Sequence, residues 1–307
     1  MDKLLNIGIE INNNSYTPEF YAYKAFLEKK MHKVQLLNKD ELSHNKSFDI
    51  KIYTMGFSHK WRNKEETKII HEYQSLSTGY GNKIKNNIKK YLNIKPNGRI
   101  FLNSYVRKTL NFNDNIDYIE RDMGIDESFF NITQNNIQKE YDIVYCGSIN
   151  RYGLIKTLIN LSKLGLKILV IGNVSLKIEK KLKKYNIICT GKIQRNNIPP
   201  LYKMATFGLN YTPNIYPFNV QTSTKTLEYC ASGLKILSNH YNWISNFEKE
   251  RNAKFLWLHD LFNIGNIDIL KTKENSLITP NVKDLMWDNI LKNSKLEEFL
   301  YKIYNEE

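Results

Sequence analysis

The chain has 307 residues, 41% of them hydrophobic, which suits two domains of ordinary size and argues against a disordered or fibrous protein. Its net charge of +14 is spread along the sequence, with 21 basic against 16 acidic residues in 1–138 and 24 against 15 in 139–307, so an anionic partner is favoured but no basic arm stands out. No arginine-rich arm, zinc-finger spacing or RNA-binding aromatic signature accompanies the charge, and nucleic acid is not an expected partner.

Other classes fall away on local grounds. The N-terminal MDKLLNIGIEINNN has too short an apolar run for a signal peptide, and no stretch approaches the ~20 apolar residues that span a bilayer. Cys146, Cys189 and Cys230 form no CxxC pair, so a reducing cytoplasm fits. The expected location is cytoplasmic, or peripheral at the inner face of the membrane.

Taken in chain order, Leu4–Ile11 reads as a strand, Glu19–Lys30 as a helix and Lys33–Leu37 as a second strand. Phe48–Thr54 predicts a third strand, Lys68–His71 a short fourth, and Asn82–Tyr91 a strongly basic helix. Arg99–Asn103 and Asp117–Glu120 are further short strands. The polar run Asn131–Glu140 lacks an apolar period, and the domain boundary is placed there, near residue 138.

A second alternation then begins. Strands are expected at Tyr141–Gly147, Lys167–Gly172, Asn186–Thr190 and Phe207–Asn210, with helices at Tyr152–Leu164, Ser175–Tyr185 and Ile198–Met204 between them. Pro213 and Pro217 keep the next segment out of regular structure. Ser223 or Thr224 can cap a helix holding Lys225, Glu228 and Ala231, Gly233 ends it, and Leu234–Ser238 follows as a strand. Phe255–Leu258 is the last strand, and Val282–Tyr304 reads as one helix. The alternation predicts an α/β protein of two Rossmann-like domains facing a cleft, 1–138 and 139–288, with 289–307 a helix that packs back on the first.

The chemistry-bearing residues gather at strand ends. Gly147 and Ser148 follow an apolar strand and leave backbone N–H groups for an anion, to which Arg151 adds a fixed charge; the plainer reading is a strand-to-helix turn with a solvated arginine. Lys192 follows another strand and reaches for the same place, although a surface lysine is the commoner outcome. At Ser223, Thr224 and Lys225 a helix start and a point charge suit a diphosphate. Glu228, one turn on, is placed to accept from ribose hydroxyls; alternatively the pair is a simple i,i+3 ion pair. In the first half, His71 and Glu72 end a short apolar strand and are candidates for proton transfer or a sugar contact, against the usual structural role of a lone His.

Several signals are missing. There is no GxGxxG, GxxxxGK[ST], HExxH or DxD run, and the six His form no ligand cluster with the cysteines. The expected mechanism is metal-independent and uses no cofactor, with cations and a helix dipole stabilising a leaving diphosphate.

These residues together resemble the GT-B glycosyltransferases, above all the large retaining family numbered four. The run Ser223-Thr224-Lys225-Thr226-Leu227-Glu228-Tyr229-Cys230-Ala231-Ser232-Gly233 is similar to that family's Ser/Thr-Lys-x-x-Glu-Tyr-x-Ala-x-Gly donor segment. Tyr118–Phe130 resembles its interdomain run, Tyr141–Gly147 the start of its second domain, and Trp287-Asp288 the tryptophan before its C-terminal helix. The resemblance covers roughly residues 100–290. It implies a nucleotide-sugar donor, UDP- or GDP-linked, bound in the C-terminal domain and an acceptor site in the N-terminal one. Glu228 would hold the ribose, Arg151 and Lys192 or Lys225 the diphosphate, and His71 the donor sugar. Three positions depart from the pattern: Val220 stands where a second acid is usual, Asn12–Ser15 replace a glycine-rich turn, and Lys235 replaces a proline.

The leading expectation is therefore a transferase that builds a polysaccharide, glycolipid or protein glycan. The basic stretch Lys83–Lys90 suits an anionic lipid surface carrying the acceptor, against the slightly favoured reading of a solvated helix face. The alternative, motivated by Val220, is a non-catalytic nucleotide-sugar-binding or scaffold protein of a glycan assembly complex.

Overall fold

The computed structural model describes residues 3–12, 17–54, 67–76, 87, 90, 93–131, 138–264 and 274–306. The chain divides into two compact units, Met1–Gly124 with Leu285–Glu307, and Ile125–Asp284.

The first unit opens with β1 (Asn6–Glu10), α1 (Pro18–Glu28), β2 (Lys33–Leu37) and α2 (Lys39–His44). It continues with β3 (Ile50–Thr54), β4 (Lys68–Tyr73), β5 (Gly98–Phe101), α3 (Ser104–Leu110) and β6 (Asp117–Glu120). Its six strands are all parallel, in the order β2-β1-β3-β4-β5-β6. Parallel strands are covered on both faces, which is why β3, β4 and β5 are buried almost throughout. The helix α2 was not expected from the sequence. It is set by a capping box in which Asn38 Oδ1 accepts from Glu41 N–H and the Glu41 carboxylate accepts from Asn38 N–H, both at 3.0 Å.

The second unit holds β7 (Tyr141–Cys146), α4 (Leu154–Lys163), β8 (Ile168–Ile171), α5 (Leu176–Lys183), β9 (Ile187–Cys189) and α6 (Ile198–Lys203). Then come β10 (Ala205–Asn210), α7 (Thr224–Ala231), β11 (Lys235–Ser238), α8 (Asn242–Glu250), β12 (Leu256–Trp257) and α9 (Leu258–Ile264). The order β12-β11-β10-β7-β8-β9 is that of a doubly wound dinucleotide-type sheet. Its core joins Ile143, Ile168, Val170, Phe207, Leu209 and Leu237 of the strands to Leu154, Leu158 and Leu161 of α4.

The C-terminal segment belongs to the first unit as α10 (Trp287–Asn293) and α11 (Leu296–Asn305). The single helix expected over Val282–Tyr304 is broken: Lys295 adopts a left-handed φ of 55°. The break lets Trp287 and Leu291 on one helix, and Phe299, Leu300 and Ile303 on the other, reach one core with Ile7, Ile9, Ile52 and Ile100.

The units also divide before the expected joint near residue 138, at Gly124. The reason is packing. Trp287 lies so close to Gly124 that a Cβ there would meet its ring. Phe129, five residues on, is buried against Tyr202 of the second unit, with ring centroids 5.6 Å apart. Residues 132–137 of the polar run, and all of Lys83–Lys90 except Asn87 and Lys90, lie outside the described residues. Among the described residues no helix is long and apolar enough to cross a membrane.

Candidate functional site

In the second sheet the strand order reverses between the parallel neighbours β7 and β10, the place where doubly wound sheets leave a crevice at their strand carboxyl ends. Gly147 leaves β7 with φ of 140°, a backbone that L side chains rarely adopt, and its N–H donates to Ile171 O at 2.9 Å. Tyr145 O–H donates to Ser148 O at 2.7 Å and pins the turn from below. Burial pushes the Tyr145 phenol up to about 12, so it stays a neutral donor. Arg151 then turns back across the crevice. Its Nη1 donates to Tyr211 O at 2.5 Å and to Thr212 Oγ1 at 3.1 Å, just beyond β10. Gly153 permits that approach, since a Cβ there would collide with the Tyr211 hydroxyl.

The opposite wall is the start of α7. Ser223 caps it, its Oγ accepting from Thr226 N–H at 3.3 Å. The same hydroxyl donates to Asn210 Oδ1 at 2.9 Å, so its proton is spent inside the protein. Asn210 Nδ2 in turn donates to Ser238 Oγ and Tyr241 Oη, each at 2.9 Å. Asn239 ties the loop after β11 to Thr212 by two bonds, of 3.0 and 2.7 Å. The cap is thus fixed by buried amides and hydroxyls from β10 and the loop after β11.

Between these walls lies a cavity of about 440 Å³, lined by Ser148, Arg151, Thr212, Ser223, Thr224 and Lys225 among others. That is within the roughly 300–1,000 Å³ common for small-ligand sites. Its charged lining groups are two cations, Arg151 and Lys225, and no Asp or Glu is among them. The first-turn N–H groups of α7 add partial positive charge. Ile215 and Phe218, both exposed, form an apolar rim. A larger cavity of about 690 Å³, lined by Tyr141, Leu166 and Ile168, lies at the amino ends of the strands, the edge where such sheets do not place ligands.

Glu228 sits behind Lys225 and not in the cavity lining. Its Oε1 accepts from Arg195 Nη1 at 3.0 Å; its Oε2 accepts from Tyr202 O–H at 3.1 Å and from Lys225 Nζ at 2.8 Å. Burial by itself would raise the carboxyl, but Lys225 and Arg195 outweigh it and hold it below the usual range. For Lys225, burial opposes the charge, yet Glu228 keeps the ammonium above its ordinary value.

Of the residues singled out in the sequence, Ser148, Arg151, Ser223, Thr224 and Lys225 are therefore brought to one cavity, with Gly147 shaping its turn and Glu228 behind it. Lys192 is exposed and outside the lining. His71 and Glu72 belong to the other unit and are fully buried. The strand that the sequence ended at His71 continues to Tyr73, which seals both into the sheet. Alternation along β4 points them to opposite faces. The His71 imidazole is pushed down to about 3 by burial, with Arg99 and Lys39 adding to it, so it is neutral. Glu72 Oε1 accepts from Arg121 Nη2, and from Tyr23 O–H at 3.2 Å.

Sequence reasoning missed Asn210, Arg195, Tyr202 and Gln221. An amide closing an apolar central strand was a readable signal for Asn210. Arg195 and Tyr202 meet Glu228 only through the fold. Among the described residues, no group of three or more His, Cys, Asp and Glu could hold a metal ion.

Solved glycosyltransferases share this architecture. AviGT4, a glycosyltransferase involved in avilamycin A biosynthesis, matches with a TM-score of 0.62 and 11% identity over 98% of this chain and 97% of its own. HepE of Anabaena, in complex with UDP-glucose, matches with a TM-score of 0.66 and 11% identity over 97% and 100%. The wall teichoic acid polymerase TagF matches at 0.51 and 11% over 98% and 90%. No protein-family model and no curated protein sequence matches the chain. Two all-parallel doubly wound sheets, matched over nearly the whole chain by these enzymes, give the protein the GT-B fold.

Proposed function

We propose that the chain is a glycosyltransferase of the hexosyl-transferring type. It moves a sugar from a nucleoside-diphosphate donor, UDP- or GDP-linked, to a hydroxyl of a glycan, glycolipid or protein-glycan acceptor. The observation that carries this reading is the cavity at the β7–β10 switch point, with Arg151 on one wall and the first turn of α7 with Lys225 on the other. Two cations, aligned amides and no carboxylate in the lining suit a diphosphate. The complex of HepE with UDP-glucose supports a donor of this class on the same fold.

The chemistry asked of the site is charge stabilisation. As the bond from the anomeric carbon to the diphosphate oxygen breaks, negative charge grows on the leaving group. The guanidinium of Arg151, the ammonium of Lys225 and the α7 amides are fixed before the reaction, so little reorganisation is needed. A metal ion has no required place in that scheme, and we propose a metal-independent transfer with retention of configuration. The burial of His71 and Glu72 supports a structural role for both.

Titration calorimetry with UDP and GDP tests the reading. Lys225→Ala should weaken binding of the preferred nucleotide by about ten- to a hundredfold, the size of one lost charged hydrogen bond. Unchanged affinity in a folded variant would sink the assignment. The second reading, a binding protein without turnover, is favoured by Val220, which puts an apolar side chain at the end of the turn Phe218–Val220 where an acid is usual. Donor hydrolysis or transfer by the purified chain decides against it.

A further inference from the structure

The crossovers β7-α4-β8 and β8-α5-β9 step the same way across the second sheet, so α4 and α5 lie on one face of it. Along α4, and reaching Lys181 of α5, runs an open groove of about 900 Å³. It adjoins the donor cavity at Asn150, Arg151 and Tyr152, which line both. Ile155 and Ile159 give it an apolar floor. Lys156, Asn160 and Lys163, spaced i, i+4 and i+7, stand on one face of α4 above that floor. With Lys181 and Arg151 that makes four cations, and among the described residues no Asp or Glu lines the groove. The acid of α5, Glu179, is two residues from Lys181 and so on another side of the helix.

Cations gathered without a counter-charge raise the local potential and draw an anion. Here the charge is drawn out. Lys156 and Lys163 are about 10 Å apart along the helix axis, and Arg151 lies before its first residue. One compact anion cannot meet all of it, whereas an extended chain with repeated anionic groups can. Tyr152, 87% exposed, offers a bare aromatic face at the junction with the donor cavity, against which the carbon side of a sugar ring packs. A single aromatic does not make the ladder on which single-stranded nucleic acid stacks its bases. A bilayer surface is too flat to fill a groove.

We infer that this groove binds the acceptor, and that the acceptor is an acidic glycan, an extended chain whose sugars carry carboxylate or phosphate and which Lys156, Lys163 and Lys181 hold beside the donor cavity. This rests on the donor-cavity reading above and names its acceptor class. The resemblance gives the reacting end of the acceptor to the first unit; the groove takes a stretch farther along the same chain.

Fluorescence anisotropy of the full chain with labelled oligogalacturonate, which carries carboxylates, and labelled phosphomannan oligosaccharide, which carries phosphates, tests the inference at low salt. At least one should bind, and neutral malto-oligosaccharide of equal length should not compete. Joint replacement Lys156→Ala, Lys163→Ala and Lys181→Ala should weaken binding by about tenfold, the sum of three partly screened charge contacts. Removing the same charge at Lys177, Lys180 and Lys184, which are exposed and outside the groove, should cost no more than about threefold. Equal losses in the two triple variants, no binding of either glycan, or competition by the neutral one overturns the inference. So does tighter binding of a single-stranded oligodeoxynucleotide of equal charge, or of phosphatidylglycerol vesicles, that the first triple variant abolishes. Titration with UDP and GDP keeps the two readings apart. Nucleotide bound by a chain that fails the glycan tests strikes the groove alone. A chain that binds neither nucleotide loses the donor cavity, and its groove then holds no acceptor.

Discussion

Two carboxylates of this chain are buried beside an arginine, and their surroundings differ in sign. Glu72, on the central strand β4 of the first sheet, pairs with Arg121, and the side chains of both are 0% exposed. Glu19 lies within electrostatic reach of the same arginine, so two acids share one cation. Glu228, in α7 of the second unit, has Arg195 and Lys225 for a single acid. The first cluster holds two acids to one base: burial raises the Glu19 carboxyl above the usual range, with Arg121 opposing and Glu72 adding to it. The second carries surplus positive charge, and Lys225 presents it to a cavity. One set of ingredients is sealed in a sheet and the other stands behind a cation that lines a cavity, and the deciding variable is which charge is left over and whether solvent reaches it.

The largest effect should come from breaking the sealed cluster. Arg121→Ala leaves Glu72 uncompensated in a dry interior and should cost about 3–5 kcal/mol of unfolding free energy. Urea denaturation followed by circular dichroism reads it. A loss below about 1 kcal/mol would mean that water or a proton compensates Glu72 and that the first cluster is less dry than the second.

Glu228→Gln is the matching change in the other unit. The amide still accepts from Arg195 and can still meet Tyr202, and water from the cavity can hydrate Lys225. The same denaturation experiment should show a smaller loss of about 1–3 kcal/mol. Equal losses for the two variants would break the contrast.

The contrast was only half visible in the sequence. Strands were legible because a parallel sheet buries both faces and writes short apolar runs, and β3 and β8 appear within those runs. The break at Lys295 was signalled by a five-residue step from Leu291 to Leu296, which no helical spacing allows, but a nearly continuous period hid it. The helix α8 carries Ile244 and Phe247 at helical spacing, yet Tyr241 before it offers no capping side chain, so it went unread. At the site, Ser223, Thr224, Lys225 and Arg151 were legible because capping and strand-end turns are local. The fate of Glu228 was not, because Arg195 and Tyr202 approach it from 33 and 26 residues away. Depth was equally hidden: KIIHEY reads as an apolar run that stops at a histidine, and only pairing of Tyr73 with Phe101 shows that the strand goes on.

His71 probes the dryness of the first sheet from its other face. The folded-state value near 3 lies below the ordinary 6.5, so the unfolded chain takes up the proton first as pH falls. Its contribution to stability is complete above pH 6.5 and is lost as pH drops toward 3, at roughly 1.4 kcal/mol per pH unit at most. His71→Phe should flatten that part of the stability profile, measured as urea midpoints between pH 4 and 8 relative to the unmodified chain. A variant with the same slope would place the histidine in contact with water, and the sheet interior with it.

The smallest effect calibrates the rest. Lys29 and Asp288 form an ion pair of 2.6 Å in the same unit as Glu72 and Arg121, but their side chains are 63% and 55% exposed. Coulomb attraction at that distance is weak in water, and two mobile side chains lose entropy to hold it. Asp288→Ala should therefore change the unfolding free energy by no more than about 0.5 kcal/mol, and any change should shrink in 0.5 M salt. Were this variant to cost as much as Glu228→Gln, charge proximity alone would set the energies of all three pairs. The distinction between a sealed carboxylate and one that backs a cavity would then lose its physical basis, since that distinction rests on how far each pair stands from water.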